Sequence, residues 1–81
     1  MIAGQALATV VVEYGINRLT LPAPCARIIG VGDAVVVITD DDDFYPPRAL
    51  ELDATGALFV RLSCPPSPDA RRATIRRAVR P

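Results

Sequence analysis

Length, composition and charge already exclude several classes of protein for this chain. Its 81 residues allow one compact domain, and a domain of that size buries only about 60% of the surface that its unfolded chain exposes. It has no His and only two Cys, so one copy cannot assemble the usual four zinc ligands and has no His-activated nucleophile. The formal net charge of zero disfavours an autonomous nucleic-acid binder. We therefore expect a protein that is not an enzyme, needs no metal or other cofactor, takes no small-molecule substrate and is stabilised by self-association.

The first part of the chain predicts two β-strands. Residues 6–13 are rich in β-branched side chains and contain no breaker, which is typical of a strand. After a glycine turn, residues 18–21 alternate polar with apolar side chains and stop at Pro22. Leu19 and Leu21 should therefore share one face of the second strand.

A loop and a buried strand are predicted next. Pro24 lacks a backbone donor and disfavours a helical conformation before it, so residues 22–27 are predicted to form a loop. After a turn at Gly32, residues 34–39 form a continuous apolar run. Such a run is typical of a strand that is buried on both faces or lies in an interface.

Residues 40–47 form an acidic segment, in which four adjacent Asp residues, 40–43, precede two aromatic residues and a Pro pair. Adjacent carboxylates repel one another, so the segment is predicted to be an exposed loop. Carboxylate oxygens are the ligands that Ca²⁺ prefers, so a calcium-binding loop is one interpretation of this segment. If Asp40 is the first residue of such a loop, Phe44 occupies a ligand position and Tyr45 occupies the position that requires Gly. No metal site is therefore predicted.

The third quarter of the chain predicts a β-hairpin. Residues 48–52 and 57–62 alternate in polarity around a turn at residues 53–56, which contains Gly. Leu50 and Leu52 are expected on one face of the first strand. On the second strand, one face should carry Leu58, Val60 and Leu62.

The C-terminal part consists of a Pro-rich spacer, residues 64–68, and a basic tail, residues 69–81. The tail admits two conformations. A helix would align Arg72, Arg76 and Arg80 in one stripe. Alternation of Ala73 and Ile75 with polar residues is typical of a strand, which we favour because the preceding elements are β.

Charge is segregated along the chain. Residues 33–53 carry seven carboxylates and one Arg, a net charge of −6, whereas residues 54–81 carry six Arg and one Asp, a net charge of +5. Blocks of opposite charge can complement each other between copies of the chain or between the chain and a partner.

The two cysteines, Cys25 and Cys64, allow one disulfide if their Cα atoms lie within about 7 Å of each other. Nothing in the first residues resembles an export signal, and no apolar run approaches the roughly 20 residues of a membrane span. We therefore expect two reduced cysteines that behave as small buried apolar residues, and no membrane partner.

Two stretches resemble swapped-hairpin DNA-binding domains of the AbrB transition-regulator and antitoxin class. The sequence Arg18-Leu-Thr-Leu-Pro22 is followed by Gly30-Val31 and by Gly32-Asp33 before an apolar run. It is similar to the Arg-x-x-(Ile/Leu)-Pro motif, Leu-Gly-Ile turn and Gly-Asp of that class. This resemblance implies a DNA-binding transcription regulator or antitoxin, and nucleic acid would be a partner under this alternative only.

A second resemblance is to small head-decoration and spike-base (cement) proteins of tailed phages and gene transfer agents. Thr39-Asp-Asp-Asp-Asp43, then Pro47-Arg-Ala-Leu50, then Asp53-Ala-Thr-Gly56 with an alternating strand after it, resembles their recurring pattern. The ending Ile75-Arg-Arg-Ala-Val79 resembles their closing basic β segment. The resemblance implies a virion structural protein on the outer surface of the capsid, assembled in the host cytoplasm, with the major capsid protein as its partner.

These observations together predict an all-β protein, a small single-domain β-barrel or sandwich of about five to six short strands with an Arg-rich C-terminal segment. The favoured function is capsid decoration, in which a homotrimer links neighbouring capsomers. Phe44 and Tyr45 are the expected aromatic anchors of the interface. The full set of candidate interface residues is Asp40, Asp42, Phe44, Tyr45, Arg48, Arg72, Arg76 and Arg77.

Overall fold

A computed structural model of the chain describes the backbone of residues 2–79 and the side chains of residues 4–79. The predicted all-β class is confirmed, although the strands number seven rather than five or six. They form two antiparallel sheets that pack on each other as a sandwich. The strands are β1 (Ile2–Val11), β2 (Arg18–Thr20), β3 (Ala34–Thr39), β4 (Phe44–Ala49), β5 (Glu51–Leu52), β6 (Leu58–Arg61) and β7 (Arg72–Val79). No helix in this part of the chain is long and apolar enough to cross a membrane.

The four-stranded sheet has the order β1-β7-β3-β4. The basic tail is thus a strand, as favoured above, and it lies between β1 and β3 and pairs with both. Ala73 and Ile75 of β7 are buried in the core, so the alternation read from the sequence gives the correct inner face. Arg80 and Pro81, which belong to the predicted tail, lie outside the described residues.

The three-stranded sheet has the order β2-β6-β5. The predicted hairpin is confirmed, because Leu52 of β5 pairs with Leu58 of β6 across the turn at residues 53–56. Asp53 stabilises this turn: its Oδ1 accepts hydrogen bonds from the backbone N–H groups of Thr55, at 2.8 Å, and Ala57, at 3.1 Å. Gly56 has a φ of +86°, a conformation that favours glycine.

The core lies between the two sheets and consists mainly of aliphatic side chains. The predicted inner faces of two strands are confirmed, since Leu19 and Leu21 are buried, as are Leu58, Val60 and Leu62. From β3, Val35 and Val37 point into the same core. Core residues therefore come from both sheets, as a sandwich requires.

Two predicted loops contain regular structure. Residues Ala23–Arg27 form a 3-10 helix with Pro24 in its first turn, where a missing backbone N–H costs no hydrogen bond. Phe44–Ala49 is strand β4 rather than part of an acidic loop. Its Pro pair is tolerated because β4 is the edge of the sheet, with a register shift between Val35 and Val37 of the neighbouring strand.

The prediction that Leu50 and Leu52 share a face is wrong. Leu50 is buried in the core, whereas Leu52 is 56% exposed. The strict alternation fails because β4 ends at Ala49 in one sheet and β5 begins at Glu51 in the other. Leu50 is the junction at which the chain crosses between sheets.

The two cysteines are free, so no disulfide joins Cys25 and Cys64. Cys25 is buried on the 3-10 helix, and its thiol donates to the carbonyl of Leu7 at 3.6 Å. Cys64 is exposed, which corrects the expectation that both thiols are buried. It follows Leu62 in the Pro-rich spacer, where the chain leaves the core.

Candidate binding face

The candidate site is the outer face of the four-stranded sheet. Neighbouring residues of a strand point to opposite faces, so the residues that alternate with the core positions of β1, β3 and β7 point away from the core. The outer face carries Thr9, Val11, Val36, Ile38, Phe44, Arg72, Thr74 and Arg76.

One row of this outer face crosses all four strands. Thr9 pairs with Thr74, Thr74 with Ile38, and Ile38 with Phe44. The hydroxyl oxygens of the two threonines are 3.5 Å apart. Phe44 ends the row with 56% of its surface exposed, so the row presents a large aromatic ring beside small polar and aliphatic groups.

The next row toward the start of β3 carries Arg76. Its Nη1 donates a hydrogen bond of 3.0 Å to the carbonyl of Gly4 on β1, which holds the guanidinium over the sheet. Val36 pairs with Arg76 and is fully buried although it points away from the core. An Arg stem lying over apolar surface explains such burial. The prediction that the β3 run is buried on both faces thus holds for Val36.

Arg72 and Asp40 border a shallow depression of about 300 Å³ on the outer face, which Arg76 also lines. The backbone N–H of Asp40 donates to the carbonyl of Arg72 at 3.0 Å. The Oδ1 of Asp40 accepts a hydrogen bond of 2.9 Å from the backbone N–H of Arg71. These bonds attach the acidic turn to the start of β7.

The acidic turn, residues 40–43, is ordered by hydroxyl groups. Asp41 accepts a hydrogen bond from Ser67 at 2.6 Å and another from Thr39. These bonds, that of Ser67 foremost, hold the pKa of Asp41 below its ordinary value. Asp42 forms the tip of the turn with a φ of +66°. The turn is therefore an organised, negatively charged corner of the sheet.

The candidate interface residues do not all meet on this face. Phe44, Arg72 and Arg76 lie on it, and Asp40 lies at its border. Asp42 is exposed at the tip of the acidic turn, and Arg48 is exposed on β4. Arg77 instead donates to the carbonyl of Ile28 at 2.7 Å.

Tyr45 is placed in the core, with 6% of its surface exposed. Burial raises the pKa of its hydroxyl. It alternates with Phe44 along β4, so one aromatic side chain of the pair packs inside and the other points to solvent. Phe44 is therefore the one that a partner can contact.

The opposite charges on this face are not paired with each other. Among the described residues, the only Arg–carboxylate contact within 4.0 Å joins Arg61 to Glu51 at 3.4 Å, on the other sheet. The guanidinium groups of Arg72 and Arg76 and the carboxylates of the acidic turn thus have no ion-pair partner among the described residues, and their charges can be complemented by those of a partner.

Sequence reasoning missed the aliphatic and hydroxyl part of the face, Val11, Ile38 and Thr74. The available signal was the alternation that gave Ala73 and Ile75 their inward positions, which also assigns Thr74 outward. What the sequence does not reveal is that Thr74 pairs with Ile38, since that pairing depends on the insertion of β7 beside β3.

Within the described part of the chain, no three His, Cys, Asp or Glu side chains are grouped to hold a metal ion. Comparison with known proteins gives no match to a family model, to a curated protein or to a solved structure.

Proposed function

We propose that this chain is a virion structural protein, a decoration or cement protein that binds the outer surface of a phage head as a homotrimer and links neighbouring capsomers. The observation that supports the proposal best is the outer face of the four-stranded sheet, where exposed Phe44 lies with Arg72 and Arg76, neither of which forms an ion pair with another described residue. Aromatic and Arg side chains are enriched at protein interfaces and supply most of their binding energy.

The arrangement of charge favours contact between copies. Arg72 and Arg76 lie on the outer face and Asp40 of the acidic turn lies at its border, without ion pairs between them. In a ring of three copies each interface is heterologous, so the acidic turn of one copy can contact Arg72 of the next. Charged side chains that do not contact a neighbouring copy lie at the rim of this ring. There they can fix the position of the trimer on the capsid surface.

The composition of the face suits assembly rather than catalysis. Its depression beside Arg72 is shallow, and its polar lining consists of Thr, Asp and Arg side chains. Enzyme sites are typically concave pockets that bury most of a ligand. A flat sheet face with one exposed aromatic ring is better suited to another protein surface.

The first test is whether the chain is present in purified phage particles. Tailed particles purified by density gradient from the producing cells would be analysed by peptide mass spectrometry for this chain and for the major capsid protein. We expect the two to occur in a constant ratio across the particle fractions. Absence of the chain from particles, together with a shift of duplex DNA that weakens steeply with salt, would overturn the proposal in favour of a DNA-binding protein.

A variant pair then tests the face itself. Particles from cells that lack the gene would be mixed with added protein and re-purified. Wild-type protein and Arg27→Glu should bind, because Arg27 is an exposed residue of the 3-10 helix away from the sheet face. Arg72→Glu should bind about tenfold less, since it reverses a charge of the proposed contact. Equal binding of the two variants would contradict the assignment of this face.

A further inference from the structure

The two edge strands of the larger sheet, β1 and β4, differ in their protection against further pairing. Natural edge strands commonly carry Pro or charged residues, which prevent pairing with another chain. The strand β4 contains a Pro pair and Arg48. In contrast, the ten residues of β1 include no Pro and no charged residue, although 22% of the chain is charged. The sequence therefore blocks pairing at the β4 edge and not at the β1 edge.

Only a short part of β1 can accept a new strand. The register between β1 and β7 shifts twice before Ala8. Such shifts bend an edge strand and disrupt its ladder, which itself limits further pairing. From Ala8 to Val11 the register is regular. A partner strand can therefore pair with this segment alone.

Hydrogen bonding identifies which backbone groups of this segment face outward. The N–H of Val12 donates to the carbonyl of Arg71 at 2.9 Å, so Val12 faces β7. The carbonyl of Arg72, which pairs with Val11, accepts from the acidic turn at 3.0 Å, so Arg72 faces away from β1. Residues of an antiparallel ladder alternate between facing the partner and facing away. The N–H and C=O groups of Thr9 and Val11 therefore point out from the free edge, in the plane of their own sheet.

We propose that this edge binds the same edge of a second copy of the chain. The two β1 strands run antiparallel about a two-fold axis at Val10, and the two larger sheets become one continuous sheet. Thr9 of each copy then lies opposite Val11 of the other, and each such pair exchanges two main-chain hydrogen bonds. This contact uses the backbone of β1, whereas the proposed trimer contact uses side chains of the outer face, so the two are separate.

The position of the axis follows from the carbonyl groups on either side of the segment. An axis at Thr9 would pair Val11 with Leu7, whose carbonyl already accepts from a thiol of the 3-10 helix at 3.6 Å. An axis at Val11 would pair Thr9 with Glu13, whose carbonyl already accepts from a backbone N–H of the β1–β2 turn at 3.1 Å. The axis at Val10 requires neither carbonyl and engages both outward-facing residues of each copy.

The absence of charge on β1 favours a second β1 as the partner. A two-fold contact places residues near the axis close to their own counterparts, so a charge there would meet a like charge. A strand of a different protein could match a charged edge with an opposite charge, and it would not require an uncharged one. The other described edges of a second copy fit less well, because β4 has its Pro pair, β5 has two residues, and β2 has three residues that include Arg18.

The side chains beside the axis suit this pairing, but the contact is small. Val11 is 67% exposed, and in the paired sheet it packs beside Thr9 of the other copy in both halves of the contact. Two hydrogen-bonded residue pairs bury less surface than a stable dimer needs. The contact therefore forms where copies are concentrated or are already held close together.

Disulfide cross-linking of the full-length chain tests the contact and its register. Two opposed residues of a non-hydrogen-bonded pair have Cα atoms about 4.5 Å apart, a separation that a disulfide spans. The background is Cys64→Ser, which removes the exposed native thiol. At about 1 mM protein under mild oxidation, Val10→Cys should give about tenfold more covalent dimer than Ala8→Cys. Ala8 is the matched control, since it is also half-buried against the core, but its counterpart lies roughly 14 Å away along the strand.

Amide hydrogen exchange supplies a second readout that needs no variant. The amides of Thr9 and Val11 should exchange fast in dilute protein and about tenfold more slowly at about 1 mM. The proposal is overturned if the two folded Cys variants cross-link alike, or if these amides exchange equally fast at both concentrations. Protection that appears only after addition of a cell extract would assign the edge to a different protein and also overturn it. None of these outcomes depends on whether the chain is found on phage particles or on the contact at Phe44.

Discussion

Asp41 connects the acidic turn to the Pro-rich spacer through hydroxyl groups. Its Oδ2 accepts a hydrogen bond of 2.6 Å from Ser67, which lies 26 residues further along the chain. The pKa of Asp41 is lowered mainly by this bond and by that of Thr39. A lowered folded-state pKa stabilises the fold above the unfolded-state pKa, and this contribution is lost as the pH falls through the folded-state value.

Replacing Ser67 by Ala should therefore raise the folded-state pKa of Asp41 toward its ordinary value of 3.8. The gap between folded and unfolded pKa values becomes smaller, so the free energy of unfolding should fall less steeply with acidification than in the wild type. NMR titration of the Asp41 carboxyl group and urea unfolding from neutral to strongly acidic pH measure the two effects. Ser63→Ala, at the exposed serine that directly precedes the spacer, is the control. Identical Asp41 titration curves in both variants would contradict the prediction.

Phe59 is buried on the outer side of the three-stranded sheet by arginine side chains. It is 3% exposed but does not belong to the core cluster. The Cζ atom of Arg18 lies 3.9 Å from its ring centroid, and that of Arg61 lies 5.4 Å away. Cation–π attraction and the apolar Arg stems both explain this burial.

We expect Arg18→Ala to lower the free energy of unfolding by about 0.5–1 kcal/mol, the range of an exposed cation–π contact. Arg27→Ala should leave it unchanged, because Arg27 is exposed and contacts no aromatic ring. Urea unfolding of Arg18→Ala, Phe59→Leu and the double variant gives the coupling energy between the two side chains. Additive effects of the two substitutions would show that the contact does not stabilise the fold.

Leu50 is the junction between the two sheets. It is buried in the core between the end of β4 and the start of β5. Its N–H donates to the carbonyl of Asp33 at 2.9 Å, and its carbonyl accepts from Gly32 at 3.0 Å. The crossing point is thus fixed both by packing and by two backbone hydrogen bonds.

Leu50→Ala should cost about 2–5 kcal/mol of unfolding free energy, since it leaves a cavity where both sheets meet. The same substitution at Leu52, which is 56% exposed, should change stability by no more than about 0.5 kcal/mol. Urea unfolding monitored by circular dichroism compares the two. Similar losses from both variants would mean that the chain does not cross between sheets at residue 50.

The elements that were predicted correctly are those with a regular period of two. Leu58, Val60 and Leu62, and likewise Ala73 and Ile75, alternate because each strand is continuous across its core positions. The errors fall where a strand ends or bends: at the Leu50 crossing, and at the Pro pair of β4. There the conformation is decided by long-range packing, which local propensity does not contain.

The sequence predicts individual residues of the candidate face, but it does not predict that they lie on the same side of one sheet. Phe44, Arg72 and Arg76 were each identified from composition and position. Their common side follows from two pairings of β3, with β4 and with β7. Those pairings join residues that are distant in sequence, so alternation alone could not bring the ring and the guanidinium groups together.

For the whole molecule, the outer face of the four-stranded sheet is the surface that best suits a folded partner. It presents an exposed aromatic ring together with charged side chains that form no ion pair with other described residues. A domain of 81 residues that buries a modest core can gain stability from such a contact.

The proposed self-association through the outer face is the contact whose loss is simplest to measure. Phe44 and Leu52 are both 56% exposed, but Phe44 lies on the outer face of the four-stranded sheet and Leu52 on the other sheet. In the homotrimer that we propose, Phe44→Asp should shift the equilibrium toward monomer, because it places a carboxylate where an apolar anchor is desolvated. Leu52→Asp should leave the proposed trimer intact. Size-exclusion chromatography with light scattering measures both masses, and circular dichroism checks that both variants are folded. A folded Phe44→Asp variant with the mass of the wild type would place the contact between copies elsewhere on the molecule.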